Sequence, residues 1–215
     1  MKYQALIIKW LGHAGFLIKN EKIIYIDPYQ LDDREWEKAD ILFITHSHYD
    51  HCSIEDIKKI IKQETIVVCG SDVQSKLGKV GDNINTKIVG PGKSGEINGI
   101  VFSTVPAYNI GKVFHKKNEG WMGYIIEVND VKIYHTGDSD VIPEMNTIKT
   151  EIVLLPVGGK FTMNADEAVR AAEIIEPKLA IPMHYGSIIG SREDAEKFVN
   201  GCKKLGIEAR ILERE

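Results

Sequence analysis

The segment Thr45-His46-Ser47-His48-Tyr49-Asp50-His51 places three of the chain's seven histidines and one carboxylate within six residues, directly behind the apolar run Ile41-Leu42-Phe43-Ile44. Neutral imidazole and carboxylate are the donors that suit Zn, Mn or Fe. If His46 and His48 lie at the end of a strand, their side chains face the same way and can reach one ion together. Asp50 and His51 follow on backbone that must be turning, so they diverge from the first pair and could serve a second ion nearby. A single His-x-His is compatible with a solvated loop; four such donors behind a buried run are much less so.

Four donors cannot close two coordination spheres, so other segments must contribute. Asp138, in Thr136-Gly137-Asp138, follows an apolar run and a glycine, and a carboxylate can bridge two ions. His184, in Ile181-Pro182-Met183-His184, ends another such run. His115 lies in the long segment between Val105 and Trp121, where a solvent-facing histidine beside Lys116 and Lys117 is an equally good reading. Asp27 closes the run Ile23-Ile24-Tyr25-Ile26 and could accept a hydrogen bond from the far nitrogen of a ligand histidine; a strand-end Asp before Pro28 is nearly as good an explanation. His13, between Gly12 and Ala14, is a candidate substrate contact or proton donor, with Tyr108 and Tyr185 as weaker candidates of the same type.

The elements that must position these residues are mostly strands. Runs rich in Ile and Val, bordered by Gly, Asn or Asp, predict strands over 5–10, 16–18, 23–26, 41–45, 65–68, 87–89, 100–105, 124–128, 132–134, 152–157, 179–182 and 209–212. Asn20-Glu21 and Asn129-Asp130 read as hairpin turns. Helical periodicity with an N-terminal Ser or Asn and early acidic residues predicts helices over 53–61, 164–175 and 191–205, with 71–77 as a short fourth. Helices follow only some of the strands, which suits two sheets packed face to face with helices outside better than a doubly wound parallel sheet. A weak internal echo links Lys22-Ile23-Ile24-Tyr25-Ile26-Asp27 with Val131-Lys132-Ile133-Tyr134-His135 and Asp138. Gly158-Gly159 reads as a close backbone approach, and Gly90-Pro91-Gly92-Lys93-Ser94 lacks the spacing of a phosphate-binding loop.

His46-x-His48-x-Asp50-His51, Gly137-Asp138 and Pro182-Met183-His184, in that order, resemble the metallo-β-lactamase superfamily. Trp10-Leu11-Gly12-His13-Ala14-Gly15-Phe16, Ile26-Asp27-Pro28 and Leu154-Leu155-Pro156-Val157-Gly158-Gly159 extend the likeness to its small metal-dependent hydrolases, similar to the L-ascorbate-6-phosphate lactonase branch. The resemblance implies an α/β αββα sandwich of two mixed β-sheets and one or two divalent ions, with Zn the first choice and Mn, Fe or Mg as alternatives. It implies that His46 and His48 bind the first ion, Asp50 and His51 the second, that Asp138 bridges, and that His184 completes the second. The third histidine usual at the first ion is missing from Val105-Pro106-Ala107-Tyr108-Asn109. Either Asn109 stands in its place or His115 has taken the role. The activity implied is attack of a metal-bound hydroxide on an ester, lactone or phosphodiester of a small molecule, with Asp50 orienting the nucleophile and His13 or a tyrosine protonating the leaving group. A catalytically impaired metal- or ligand-binding protein of the same fold, or a nuclease, is the alternative.

Composition narrows the choice. With 215 residues, 43% hydrophobic and 27% charged, the chain reads as one globular domain spanning 1–215. A net charge of −4 argues against a polyanion partner, and neither a basic arm nor a second domain of the kind nucleases add is evident. Three cysteines without paired spacing, no signal-like N-terminus and no apolar run long enough to span a bilayer make a cytoplasmic protein the expectation. Oligomeric state is left open.

Overall fold

The computed structural model describes residues 1–215 and divides by backbone contact into two compact units, Met1–Gly90 with Glu213–Glu215, and Pro91–Leu212. The first unit holds a seven-stranded sheet: β1 (Lys2–Tyr3), β2 (Leu6–Gly12), β3 (Gly15–Lys19), β4 (Ile23–Ile26), β5 (Ile41–Phe43), β6 (Ile66–Cys69) and β7 (Asn85–Ile88), neighbours in chain order. Strands β1 to β4 pair antiparallel through tight turns, whereas β4 to β7 pair parallel. Parallel neighbours need crossovers. Helices α1 (Ile54–Ile60) and α2 (Ser71–Leu77) supply two of them. The Ser53 side chain accepts from the Asp56 N–H and opens α1. Ile57 and Ile60 of α1 and Val73 and Leu77 of α2 are buried in one apolar cluster with Leu17, Tyr25, Leu42 and Val67 of the sheet.

The second unit repeats the plan with six strands: β8 (Ser94–Ile97), β9 (Ile100–Pro106), β10 (Met122–Val128), β11 (Val131–His135), β12 (Ile152–Pro156) and β13 (Leu179–Met183). Strands β8 to β11 are antiparallel, and β11, β12 and β13 parallel. Helix α3 (Ala165–Ile175) crosses from β12 to β13, and α4 (Arg192–Lys204) follows β13. An Asn164 capping box starts α3, and Ser191 with Asp194 starts α4. Ala168, Ala171, Ala172 and Ile175 form the buried stripe of α3, and Ala195, Phe198 and Cys202 that of α4.

The internal echo has a topological meaning. Both β4 and β11 are the strands at which antiparallel pairing gives way to parallel pairing. The segment following each carries a buried carboxylate, Asp27 in one case and Asp138 in the other. Two expectations are corrected. The run 209–212 makes only an isolated bridge, Ala209 with Ala180, and forms no strand of its own. Strand β8, Ser94-Gly95-Glu96-Ile97, is polar and mostly exposed as the last strand of its sheet, so no apolar run announces it.

Candidate metal centre

His46 to His51, Asp138 and His184 follow the C-terminal ends of the parallel strands β5, β11 and β13, where open α/β sheets present their functional groups. His13 and His115 instead follow the antiparallel strands β2 and β9. In the first unit β5 stops at Phe43, and the chain leaves the sheet before the histidines begin. The N–H groups of His51 and Cys52 donate to the carbonyl of His48 at 3.1 and 2.8 Å, making a tight turn. His46 and His48 come together as their spacing anticipates, although neither lies in a strand, with ring centroids 4.7 Å apart. The turn also brings His51 against His46, with ring centroids 4.1 Å apart and planes tilted by 42°, so these two rings do not diverge. Ligand atoms of His13, Asp50 and His51 lie within 4.8 Å of one another, as do those of His46 with His48 and of His46 with His51.

Hydrogen bonds fix the ring tautomers. Asp27, fully buried, accepts from the Thr45 N–H at 2.9 Å, from Thr45 Oγ1 at 2.6 Å and from His51 Nδ1 at 2.8 Å. Thr45 has given its only proton to Asp27, so at 3.0 Å its Oγ1 accepts from His46 Nδ1. With a proton on Nδ1, each neutral ring carries its lone pair on Nε2, the arrangement that metal-ligating histidines adopt. His13 differs: its Nε2 lies 2.9 Å from Asp50 Oδ2 and must hold the proton there. Burial pushes the thiol of neighbouring Cys52 up to about 12. Tyr29, in edge contact with His13, is likewise kept protonated by burial and then by Tyr49 and Asp50.

In the second unit His115 Nε2 and His184 Nε2 lie 3.3 and 3.2 Å from the same Asp138 oxygen, with all three residues buried. Two ligands bound about 2.0–2.1 Å from one ion at the tetrahedral angle stand about 3.3 Å apart. His115 Nδ1 is 2.9 Å from the carbonyl of Phe161, which can only accept, so its lone pair too is on Nε2. The donor set of both units thus fits a divalent cation. Asn109 turns its amide nitrogen to the carbonyls of Phe161 and Phe114, at 2.6 and 3.1 Å, while its N–H donates to the carbonyl of His115 at 2.7 Å. Its Oδ1 is buried and receives no hydrogen bond. Gly158 allows the chain to pass His184: a Cβ there would sit 2.4 Å from the His184 carbonyl.

Backbone strain marks the same residues. Eleven non-glycine residues have positive φ, and the three histidines among them are His13, His115 and His184, at 50°, 58° and 60°; Asp27 is at 44°. Tyr108 and Tyr185 are buried, and Tyr108 donates to Glu144 at 2.9 Å.

Several positioning groups lack any signal in the sequence. Ser47, between His46 and His48, is held at both ends of its backbone by α2, through Asp72 Oδ2 on its N–H at 3.1 Å and Lys76 Nζ on its carbonyl. Thr45, Asp140 and the carbonyl of Phe161 belong to the same group. Only the helix-opening place of Asp72, close behind β6, hints at its use.

The family model for the β-lactamase superfamily domain matches residues 7–184, a span that contains every residue named so far as a metal ligand. The chain belongs to the metallo-β-lactamase superfamily of metal-dependent hydrolases. Among its relatives in that superfamily, a "UPF0173 metal-dependent hydrolase" of Archaeoglobus fulgidus is 30% identical over 95% of this chain and 94% of its own. One of Thermococcus onnurineus is 33% identical over the same shares. A solved structure from Parabacteroides distasonis is 29% identical and superposes with a TM-score of 0.85 over 98% of this chain and 94% of that one. A metallo hydrolase structure from Ignicoccus hospitalis, 23% identical, shares the fold with a TM-score of 0.80 over 97% and 95%. The two mixed sheets with their helices are those of the metallo-β-lactamase fold, an α/β fold. No helix is long and apolar enough to cross a membrane.

Proposed function

We propose that the protein hydrolyses an ester, lactone or phosphodiester bond of a small molecule, using one or two divalent ions held by His46, His48, Asp50, His51, His115, Asp138 and His184. The observation that carries the reading is the tautomer state: His46, His51 and His115 each place the Nδ1 proton on a protein oxygen and turn a lone pair outward on Nε2. Structural histidines have no need of a common tautomer. Divalent ions in such a set supply an acidified water and stabilise developing negative charge on the substrate.

The protein's own groups have defined tasks in this reading. Asp27 fixes His51 directly and His46 through Thr45. Asp50, within hydrogen-bond reach of His13 Nε2 at 2.9 Å, orients the nucleophile, and His13 holds the proton available to a leaving group. His115 takes the place of the missing loop histidine, while Asn109 ties its loop down. Zn is the first candidate, since five of the seven donors are imidazoles.

Elemental analysis of carefully prepared protein, followed by chelation, metal return and assay on esters, lactones and phosphodiesters, tests the proposal. Bound metal with activity lost and regained is the expected result. Protein that carries almost no metal, or turns over equally well without it, would leave a ligand-binding protein of hydrolase fold.

A further inference from the structure

We propose that the loop leading into His115 is a binding platform for an apolar group of the substrate, so that the bond cleaved is a carboxylic ester or lactone with a hydrophobic acyl chain. The proposal rests on the hydrolase reading above and adds the substrate class to it.

The loop is inverted in polarity. Ile110, Val113 and Phe114 are 57%, 77% and 49% exposed, although side chains of this kind normally turn inward. The one charged residue among them, Lys112, points into the unit and donates to Asp140 and, at 2.7 Å, to the carbonyl of Thr162. The tip itself therefore presents three apolar side chains and no cation for an anionic group.

Nor is the loop merely slack. The Ile110 N–H donates to the other Asp140 oxygen at 2.8 Å, and Asn109 spans the base to His115, Phe114 and Phe161. Phe114 packs edge-on against Phe161 at 5.2 Å. Clustered exposed apolar side chains mark interaction sites, and here they sit on a segment tied down at both ends. Continuity decides the occupant: Phe114 is bonded to His115, whose Nε2 lies 3.3 Å from Asp138. A chain resting on Ile110, Val113 and Phe114 would have its carbonyl end beside those ligands. In the reaction, water adds to the acyl carbon and the bond from that carbon to the leaving oxygen breaks. The products are a carboxylate, an alcohol and one proton, or a hydroxy acid from a lactone.

Two measurements on the metal-loaded protein test this. Turnover of p-nitrophenyl acetate, butyrate and octanoate should show kcat/KM rising by about fourfold per methylene while the chain is still being covered. Calorimetry should show octanoate binding at least about tenfold more tightly than acetate, the same methylene increment accumulated and allowing for incomplete coverage. The V113S/F114S double variant, altered only at exposed positions, should flatten the first trend and remove the second margin. Esters turned over with no dependence on chain length, and octanoate bound no better than acetate, would overturn the inference while leaving the hydrolase reading intact. Octanoate preference without turnover of any ester or lactone would keep the apolar platform but overturn both the assigned bond and the hydrolase reading. A wild-type dimer in light scattering that the double variant dissociates, with chain-length dependence unchanged, would overturn it in favour of an interface between copies.

Discussion

His13, Asp27, His115 and His184 hold left-handed backbone conformations that cost an ordinary side chain about 1–2 kcal/mol each. Outside glycine this conformation is uncommon, with Asn, Asp and His the residues that adopt it most readily. Surroundings that over-determine such residues tend to be functional, and here the determining contacts are visible. His115 is fixed by the carbonyl of Phe161 and by Asn109, and Asp27 by three hydrogen bonds from Thr45 and His51. Asp27→Asn should weaken metal binding by about 10–100-fold, the range seen when a partner of a ligand histidine is lost; affinity equal to wild type in a metal titration would remove Asp27 from the assembly. The choice between Asn109 and His115 is settled by comparing two variants. His115→Ala should lower the number of ions retained per chain, whereas Asn109→Ala should keep the ion at reduced affinity, and the opposite order would make the amide oxygen the ligand. The candidate ligands of the 46–51 motif stood out in the sequence because imidazoles at this density have few other uses. Thr45 and Asp140 were not, because a lone threonine or aspartate resembles any surface residue until the fold brings its partner near.

At the scale of elements, most candidate ligands follow parallel strands, and one of the helices behind those strands, α2, grips the segment that carries them. Helix α2 is only seven residues long, yet Asp72 and Lys76 grip both sides of the Ser47 peptide. Replacing Lys76 by Met keeps the stem and removes the charge. Metal affinity should fall by about tenfold, the low end for a lost supporting contact, with little change in melting temperature. A fall in melting temperature with affinity unchanged would mean that α2 supports only the fold. The apolar periodicities of the helices and the Ile/Val runs made most elements readable. The failures share a cause: β8 is stabilised by its hydrogen bonds to β9 rather than by burial, and 209–212 has the composition of a strand without a ladder to join. The pairing of His46 with His48 was readable, although β5 ends at Phe43 before them.

For the whole molecule, chelation should lower the melting temperature of metal-loaded protein, because an ion that binds only the folded chain stabilises it by mass action; an unchanged transition in the presence of chelator would show that no ion contributes. Proton linkage gives a second expectation. Burial pushes the thiol of Cys69 up to about 12 and that of Cys202 to about 11, from 9.0. Above pH 9 the unfolded chain loses these protons while the folded chain keeps them. Stability is therefore complete below that value and falls as pH rises towards the folded values. Urea midpoints should drop between pH 8 and pH 10, and Cys202→Ala should reduce the slope; identical slopes would assign the loss to other groups. Finally, residues 213–215 belong to the first unit, where the Glu215 N–H donates to the carbonyl of Trp10 at 2.9 Å and Arg214 Nε to that of Leu11 at 3.1 Å. During synthesis, the unit bearing His13 must wait for the whole of 91–212 to be translated before its closing contacts can form. At ordinary elongation rates that delay is on the order of ten seconds, during which Trp10 and Leu11 at the end of β2 lack the hydrogen bonds that Arg214 and Glu215 later donate.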